Sequence, residues 1–334
     1  MIIQMQPTAS EKNLQTITET LERCGIAFKL VNTQNSNYIV GIGPNDIDLR
    51  KIGHLDGVKD IHQVTDSFQL VSSQWKVGRS AIKIADDSII SEHDFTVIAG
   101  PCSVENEEQV TQIADYLVQK GVKIMRGGVF KPRSSPYAFR GLGIEGLKMF
   151  HSICQSKGIS IISEVMQVSQ IEEMHDYVDI FQIGARNTQN FNLLDALGEV
   201  EKPVLLKRGI SGSINELLQS AEYIFSAGNE NILLCERGIR TFENAYRNTF
   251  DINAIPILKE KSHLPVIADP SHGIGIRKHV PRITLAAMLA GADGAIVELH
   301  PIPEKAKSDG QQTLNFEEFD NLMNAVNELK QIRI

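Results

Sequence analysis

Basic charge is scarce in this sequence. The 334 residues include 33 Lys and Arg against 41 Asp and Glu, a formal net charge of −8. Proteins that bind nucleic acids usually present a basic stripe, so this balance gives no support for a nucleic-acid partner. Long apolar runs are missing too, because polar residues interrupt every run well short of membrane-spanning length. We therefore expect neither nucleic acid nor a membrane among the partners.

Cysteine is rare as well. The four cysteines, Cys24, Cys102, Cys154 and Cys235, are widely spaced and include no CxxC pair, so nothing indicates a disulfide framework. The first residues, MIIQMQPTASEKN, lack the basic start and the apolar stretch of a signal peptide. These absences predict a protein of the cytoplasm.

The first 70 residues have the pattern of a small separate domain. A short apolar strand, MIIQM, precedes a helix over residues 11–24, and AFKLV and NYIVGI then alternate like two strands. A second helical stretch surrounds residues 49–55, and SFQLVS is expected to close the unit as its last strand. The order βαββαβ predicts a ferredoxin-like α+β domain over 1–70, followed by a linker over 71–94.

From residue 95 onward, short apolar runs recur with helix-like segments between them. The runs are rich in Val, Ile and Leu and lack polar alternation, as strands buried on both faces should. Eight such runs, each followed by a helix, predict an α/β fold of the (β/α)8 TIM-barrel type over 95–334. A doubly wound open sheet is the alternative, although it rarely has eight units of such even length. The runs are TVIAG, VKIMRG, ISIISE, VDIFQIG, PVLLKRG, NILLCERG, LPVIADP and GAIVEL.

Nearly every predicted barrel strand ends in a charged or reactive side chain. The carboxyl ends of the strands form the active sites of such barrels. Charge at the end of an apolar strand is costly to bury unless it is paired or faces a ligand. Salt bridges across the barrel explain two or three such residues, whereas a set from all the strands favours a site that binds something charged. The set is Cys102, Arg126, Glu164, Arg186, Lys207, Arg208, Glu236, Arg237, Asp269, His272 and Glu298.

The cations of this set are concentrated in an otherwise acidic protein. Arginine binds phosphate and carboxylate with two parallel hydrogen bonds, so the group predicts a substrate with several negative charges. In the loop RGGVFKPRSSP, glycines allow close backbone approach, while Arg133 and Ser134 are suited to holding a phosphate. A basic loop of this kind is often only solvated surface, which is the alternative. The cations are Arg126, Lys131, Arg133, Arg186, Lys207, Arg208 and Arg237.

A thiol, an imidazole and two carboxylates form a second group: Cys102, His272, Glu298 and Asp309. Mixed ligands of this kind suit divalent iron, manganese, cobalt or zinc. Their spacing is too long to be a motif by itself. Cys102 as a small packed residue and Asp309 as the start of an Asp-Gly turn are the alternatives. Three of the four follow predicted barrel strands, so the barrel would bring them to one face.

Seven segments of the barrel region carry a resemblance to a known family. They are IAGPCSVE, RGGVFKPRSSPYAFRGLG, QIGARNTQNFNLL, KPVLLKRG, ILLCERGIRTFE, ADPSHG and VELHPIPEKAKSDGQQ. Together they closely resemble the 3-deoxy-D-arabino-heptulosonate 7-phosphate (DAHP) synthases of the type I-beta class, over essentially all of 95–334. The less distinctive residues 1–70 look like the regulatory domain of some members, which implies feedback inhibition by tyrosine or phenylalanine. The family commonly forms tetramers, so a homotetramer is expected.

The resemblance implies condensation of phosphoenolpyruvate with erythrose 4-phosphate, the first step of the shikimate pathway to aromatic amino acids. It also implies one divalent ion, Mn, Fe, Co or Zn, that polarises the sugar aldehyde. The implied metal ligands are Cys102, His272, Glu298 and Asp309. The implied phosphoenolpyruvate site comprises Arg126, Lys131, Gly184, Ala185, Arg186, Lys207 and Arg237, and Arg133 and Ser134 would hold the sugar phosphate. The implied catalytic residues are Lys131, Glu164, Lys207 and His272, with Glu164 and Lys207 holding the attacking water.

Two alternatives to this function stay open. The sister enzyme 3-deoxy-D-manno-octulosonate 8-phosphate synthase uses arabinose 5-phosphate, but it typically has KANR where this chain has Lys131-Pro132-Arg133. It also usually lacks an N-terminal domain. A barrel that only senses an aromatic amino acid is the second alternative. Such a sensor is expected to have lost a metal ligand or an anion-binding arginine, and this sequence has lost none.

Overall fold

The computed structural model describes residues 1–43, 47–76, 78–85, 88–131, 135 and 137–332. Its first unit is a four-stranded antiparallel sheet with strand order β2-β3-β1-β4. Helix α1 begins at a capping box between Ser10 and Asn13 and buries Ile17 and Leu21. The predicted element order βαββαβ is therefore the observed order. The elements are β1 (Ile2–Met5), α1 (Glu11–Arg23), β2 (Ala27–Asn32), β3 (Asn37–Ile42), α2 (Arg50–Gly53) and β4 (Val58–His62).

The last strand of this unit was predicted in the wrong place. Strand β4 has the sequence VKDIH and pairs with β1, whereas SFQLVS at 67–72 forms no strand. The carboxylate of Glu222 accepts the backbone N–H groups of Leu70 and Val71 at 2.9 and 3.0 Å. Those donors are therefore bound by a side chain of the barrel and are not available to a sheet. The apolar character of this segment reflects burial between the two units.

An aromatic cluster joins the N-terminal unit to the barrel. The ring of Trp75 lies edge-on to Tyr38 of β3 at 5.4 Å and to His263 at 5.5 Å. Tyr38 also meets Phe225 of the barrel at 5.9 Å. His263 is 2% exposed and its Nε2 lies 2.9 Å from the carbonyl of Leu70. Burial, followed by the charge of Lys76, lowers the pKa of His263 to about 3, so this histidine is neutral. The two units therefore pack against each other through this cluster, while the other face of the N-terminal sheet has a separate core with α1 and α2.

The segment predicted as a linker over 71–94 contains a hairpin. Its strands, β5 (Ile82–Ala85) and β6 (Ser88–Ile90), pair in antiparallel fashion. Ile82 and Ile90 are buried against inward-facing barrel residues, including Ile124 and Ile180 at the beginnings of their strands. The hairpin therefore covers the interior of the barrel at its amino-terminal end.

Eight parallel strands close into the predicted barrel. Closure occurs between the last strand and the first, where Gly294 pairs with Thr96 and Glu298 pairs with Gly100. Each strand interior is buried on both faces, as its unbroken apolar sequence indicated. The strands are β7 (Thr96–Gly100), β8 (Ile124–Arg126), β9 (Ser160–Val165), β10 (Ile180–Ile183), β11 (Val204–Lys207), β12 (Ile232–Glu236), β13 (Val266–Ala268) and β14 (Gly294–Glu298).

Helices follow the strands around the outside of the barrel. Helix α7, for example, begins at a capping box between Ser213 and Glu216 and buries Leu217, Leu218 and Phe225. None of the helices described is long and apolar enough to span a membrane. They are α3 (Glu107–Gln119), α4 (Gly143–Gln155), α5 (Ser169–His175), α6 (Phe191–Gly198), α7 (Ile214–Ala227), α8 (Ala254–Lys261), α9 (Pro270–Ile274), α10 (Val280–Leu289) and α11 (Phe316–Lys330).

The bond between Glu222 and the segment around Leu70 can be tested by mutation. We expect Glu222→Ala to destabilise the protein by about 2 kcal/mol, because two buried backbone donors lose their acceptor. The urea midpoint of unfolding, followed by tryptophan fluorescence of Trp75, measures the loss. Glu173→Ala, which removes an exposed carboxylate from α5, is the matched control and should leave the midpoint unchanged. Equal midpoints for the two variants would contradict this account.

Candidate active site

A cavity opens at the carboxyl ends of the barrel strands. Seven of its lining residues are Lys or Arg, whereas only two are carboxylates, so the cavity is strongly cationic inside an acidic protein. Such a cavity attracts ligands with several negative charges. The lining residues are Arg126, Lys131, Glu164, Gln182, Gly184, Ala185, Arg186, Lys207, Ile210, Arg237, Arg240, Arg247, Asn248, His272 and Asp309.

The four predicted metal ligands meet at one side of this cavity. Ligand atoms of Cys102, Glu298 and Asp309 all lie within 4.8 Å of one another. The Nε2 atom of His272 lies 3.5 Å from Glu298 Oε1 and 4.0 Å from Asp309 Oδ2. Barrel closure explains part of this arrangement, because Glu298 pairs with Gly100, two residues before Cys102. The alternative of a packed cysteine and an isolated turn is therefore not favoured.

The chemistry of this donor set fits a divalent cation. Burial, followed by the charge of Glu298, raises the pKa of the Cys102 thiol to about 12. A cation between the thiol and the two carboxylates would favour the thiolate and offset the crowding of negative charge. Asp309 adopts a left-handed backbone with φ of 52°, which is uncommon for non-glycine residues but which Asp adopts more readily than most. Thiolate, imidazole and carboxylate together suit Mn, Fe, Co or Zn.

Two residues that were not singled out from the sequence contact the two predicted carboxylate ligands. Gln312 is fully buried, and its Nε2 donates to Glu298 Oε2 at 2.7 Å. Its Oε1 accepts from Arg247 at 2.5 Å, and Arg247 lies 3.3 Å from Asp309 Oδ1. Burial opposes ionisation of Asp309, yet Arg247 and then His272 lower its pKa to about 2. Gln312 lies in SDGQQ, the end of a segment that carries the family resemblance. Arg247 lies in a loop after β12 whose sequence matches no motif used above.

A third carboxylate, Asp269, lies between two predicted site residues. Its Oδ2 atom is 2.5 Å from Lys207 Nζ and 2.9 Å from His272 Nδ1. Burial would raise the pKa of Asp269, but His272 and Lys207 hold it well below its usual range. Burial lowers the pKa of His272, against the opposing effect of Asp269, which favours the neutral imidazole that a metal needs.

The anion-binding part of the cavity depends on buried arginines. Arg126 donates to Glu298 Oε1 and to the carbonyl of Cys102, both at 3.3 Å. Its Nε is buried and has no hydrogen-bond partner among the residues that the structure describes. Burial lowers the pKa of Arg237, whose guanidinium is bonded to the carbonyl of Gly238 at 3.1 Å. Buried donors and charges of this kind are stabilised by an anionic ligand.

The carboxylate of Glu164 lies directly over Gly184. A Cβ atom at Gly184 would lie 2.0 Å from Glu164 Oε1, so a larger residue there would require the Glu164 side chain to move. Gln182 is the strand partner of Glu164 and its Nε2 lies 3.5 Å from Glu164 Oε2. Glycine at 184 therefore leaves the observed place of the Glu164 carboxylate open.

One predicted cation lies outside the cavity, and two further predicted residues are not in the part of the chain that the structure describes. Arg208 donates to Glu236 at 2.8 Å and to Asp251 at 2.9 Å, so its charge is compensated within the protein and it is not among the lining residues. Arg133 and Ser134 lie outside the described residues. Five lining residues were not singled out from the sequence, and most of them are on loops after strands: Gln182, Ile210, Arg240, Arg247 and Asn248.

Known proteins resemble this chain over its whole length. Residues 76–333 match the DAHP synthetase I family. The chain is 43% identical over 330 residues to phospho-2-dehydro-3-deoxyheptonate aldolase of Thermotoga maritima, which covers 98% of this chain and 97% of that protein. A crystal structure of the Thermotoga maritima enzyme, also called DAHP synthase, has a TM-score of 0.79 at 42% identity and covers 99% of this chain and 97% of that one.

Two further relatives cover mainly the barrel. A truncated form of the Thermotoga maritima synthase has a TM-score of 0.75 at 46% identity and covers 79% of this chain and 97% of that one. The 2-dehydro-3-deoxyphosphooctonate aldolase of Syntrophotalea carbinolica is 32% identical over 252 residues, which covers 70% of this chain and 90% of that protein. The chain is therefore more similar, and over more of its length, to the heptonate aldolase than to the octonate aldolase.

Metal binding at the donor set predicts a thermal shift. A divalent ion at about 100 times its dissociation constant should stabilise the protein by about 2.7 kcal/mol and raise the melting temperature by about 5 °C. We expect the shift on adding Mn²⁺ or Zn²⁺ to the EDTA-treated protein, measured by differential scanning fluorimetry. Glu298→Gln should remove the shift. Glu236→Gln, which neutralises a buried carboxylate at the end of β12, should keep the shift in melting temperature. An equal shift in both variants would exclude this metal site.

Proposed function

We propose that this chain, which belongs to the DAHP synthetase I family and is a DAHP synthase, carries out its reaction in the cavity described above. The reaction condenses phosphoenolpyruvate with erythrose 4-phosphate and gives DAHP and phosphate. One observation carries the assignment of the site: four metal-ligand side chains converge beside seven cations at the carboxyl ends of the strands. A metal beside a polyanion site is what a condensation of two phosphorylated substrates requires.

Cys102, His272, Glu298 and Asp309 are the proposed ligands of one divalent ion, Mn, Fe, Co or Zn. Their support is the cluster of donor atoms and the high pKa of the Cys102 thiol, which a neighbouring cation would lower. When bound, the ion would supply Lewis-acid polarisation of the sugar aldehyde. Cys102 serves as a ligand in this proposal, and no covalent intermediate on the thiol is needed.

The phosphoenolpyruvate site is proposed to hold the phosphate and the carboxylate of that substrate on separate cations. Arg126 has a buried Nε without a hydrogen-bond partner among the described residues, and burial lowers the pKa of Arg237, which supports this role. Holding two polyanions in contact against their repulsion is a positioning and electrostatic task. The proposed residues are Arg126, Lys131, Arg186, Lys207 and Arg237, with backbone contacts from Gly184 and Ala185.

The chemical steps are proposed for three side chains of the cavity. The methylene carbon of phosphoenolpyruvate attacks the aldehyde carbon, and its C2 becomes electron-poor. Glu164, with Lys207, holds the water that adds at C2, and the carboxylate of Glu164 accepts the proton from it. Lys131, whose Nζ lies 3.2 Å from Cys102 Sγ, is near enough to the proposed ligands to donate the proton that converts the alkoxide formed from the aldehyde into a hydroxyl group. The hemiketal phosphate then loses phosphate by cleavage of the C–O bond, and the proton of its C2 hydroxyl leaves with the phosphate.

The remaining assignments follow from the resemblance. Arg133 and Ser134 are proposed to hold the phosphate of erythrose 4-phosphate. Residues 1–70 are proposed as a regulatory domain of the type I-beta class that responds to tyrosine or phenylalanine, with 71–94 as linker and 95–334 as the catalytic barrel. A homotetramer in the cytoplasm is proposed as well, and four cysteines without a disulfide are compatible with that compartment.

The substrate and the metal can be tested in one assay. We expect phosphoenolpyruvate to be consumed with erythrose 4-phosphate but not with arabinose 5-phosphate, and we expect EDTA to stop the reaction and Mn²⁺ to restore it. Cys102→Ala should lose activity by about 100-fold or more, because a metal ligand is missing. Consumption is followed by the loss of absorbance of phosphoenolpyruvate.

Each arm of this assay has its own meaning. Turnover of arabinose 5-phosphate in place of the four-carbon sugar would assign the chain to the sister activity. Full activity of Cys102→Ala, with unchanged metal content, would exclude the proposed ligand set. Cys154→Ala is the matched control, because Cys154 is a buried thiol of α4 away from the cavity, and it should retain turnover.

Deletion of the N-terminal unit tests its proposed regulatory role. A chain lacking residues 1–66 keeps Leu70 and Trp75, which contact the barrel. We expect this truncated enzyme to retain turnover and to lose inhibition by tyrosine or phenylalanine, measured in the phosphoenolpyruvate assay. Melting curves of both forms establish that the truncated enzyme folds. Inhibition that persists in the truncated enzyme would refute a regulatory role for this unit.

A further inference from the structure

One buried carboxylate contacts both halves of the proposed active site. We propose that Asp269 is a positioning residue that couples the metal site to the phosphoenolpyruvate site by binding His272 and Lys207 at the same time. The inference rests on the proposed function and adds to it a residue that contacts neither substrate. It also gives a role to Asp269, a buried carboxylate that is not among the four proposed ligands.

The geometry of Asp269 is that of a bridge. The residue follows β13 and is the N-cap of the short helix α9, and its side chain is fully buried. Its Oδ2 atom lies 2.5 Å from Lys207 Nζ and 2.9 Å from His272 Nδ1. Its Oδ1 atom accepts the backbone N–H of His272 at 3.1 Å. Lys207 comes from β11 and His272 from α9, so the carboxylate joins two separate elements.

The bond to Asp269 determines which nitrogen of His272 can bind a metal. A carboxylate beside Nδ1 holds the proton on that nitrogen, which leaves the lone pair on Nε2. Nε2 is the atom that faces Glu298 at 3.5 Å and Asp309 at 4.0 Å. The same bond fixes the plane of the ring. Without it, the imidazole would be free to carry its proton on either nitrogen.

The same carboxylate fixes the ammonium group of Lys207. A lysine side chain has four rotatable bonds, and holding its end in one place costs conformational entropy. The buried Asp269 provides a charged acceptor for it, and Lys207 then faces the cavity beside Glu164. Since one oxygen, Oδ2, contacts both partners, a shift of either partner alters the contact of the other. Occupancy of one site should therefore change affinity at the other.

The Asp269→Asn variant distinguishes this role, which depends on the charge and the two acceptor oxygens, from a purely steric role. The amide has nearly the same size and can still accept the backbone N–H of His272. It has no charge and one acceptor oxygen in place of two. With that oxygen in the place of Oδ1, the amide keeps its two bonds to His272 and turns its NH₂ group toward Lys207, which is also a donor. With the oxygen in the place of Oδ2, the NH₂ group faces the backbone N–H of His272, so in either orientation a donor meets a donor and the charge that holds both partners is lost.

The experiment measures two dissociation constants by calorimetry, for Mn²⁺ on the metal-free full-length protein and for phosphoenolpyruvate. In Asp269→Asn we expect the affinity for Mn²⁺ to fall roughly 10- to 100-fold and the affinity for phosphoenolpyruvate to fall about 10-fold. In the wild type, phosphoenolpyruvate should tighten Mn²⁺ binding, and this coupling should shrink in the variant. Asp293→Asn is the control. It neutralises a buried carboxylate just before β14, at the opposite end of the barrel, that binds Lys259 and the backbone N–H of Val266, and both constants should stay unchanged.

Several outcomes would overturn the proposal. Unchanged constants in Asp269→Asn would do so, and so would a change in only one of them, because a bridge must affect both sites. Should the variant fail to fold, ¹⁵N NMR of the Zn²⁺-loaded wild type decides, since the proposal requires a proton on Nδ1 of His272 and none on Nε2. The proposed function is tested separately, by turnover of the wild-type enzyme. Absent turnover would contradict the proposed function, whereas unchanged dissociation constants in Asp269→Asn would contradict only the bridging role of Asp269.

Discussion

The structure depends on the mutual compensation of charges buried at one end of the barrel. Glu298 is fully buried, and it contacts Arg126 at 3.3 Å, His272 at 3.5 Å and Gln312 at 2.7 Å. An isolated carboxylate in such a place would cost several kcal/mol, so removal of any one partner disturbs the rest. The functional groups are therefore held by one another, and the apolar strands below them only set the distances.

Those distances are set by strand register and completed by the segments that follow the strands. Pairing of β14 with β7 places Glu298 beside Gly100, and the chain reaches Cys102 two residues later. His272 lies in the short helix α9 and Asp309 in the loop after β14, so both depend on segments beyond the strand ends. The hairpin β5–β6 fills the opposite end of the barrel with Ile82 and Ile90. A side chain on a paired strand, as Glu298 is, is more precisely fixed than one on a loop.

The sequence predicts the barrel well because strands buried on both faces need unbroken apolar runs, whatever lies around them. Prediction from the sequence fails where contacts between distant parts of the chain determine whether a segment forms a strand. Strand β4 is polar because Lys59 and Asp60 are exposed, whereas the apolar stretch at 67–72 is buried between the units and pairs with Glu222. Residues at the carboxyl ends of the strands predicted most of the cavity lining for the same reason, because a barrel brings all these strand ends to one side. The support from Arg247 could not be predicted, because its partners Asp309 and Gln312 are far along the chain.

The distinction between structural and ligand-facing cations follows from their partners. Arg208 has two carboxylates, Glu236 and Asp251, at 2.8 and 2.9 Å, and its charge needs nothing further. Arg237 is equally buried, but its guanidinium is bonded to a carbonyl, and burial lowers its pKa. A buried cation that forms no ion pair within the described part of the chain favours an incoming anion over water. A chain of net charge −8 is thus suited to bind a polyanion, because the grouping of cations in the cavity, and not the charge of the whole molecule, determines what binds there.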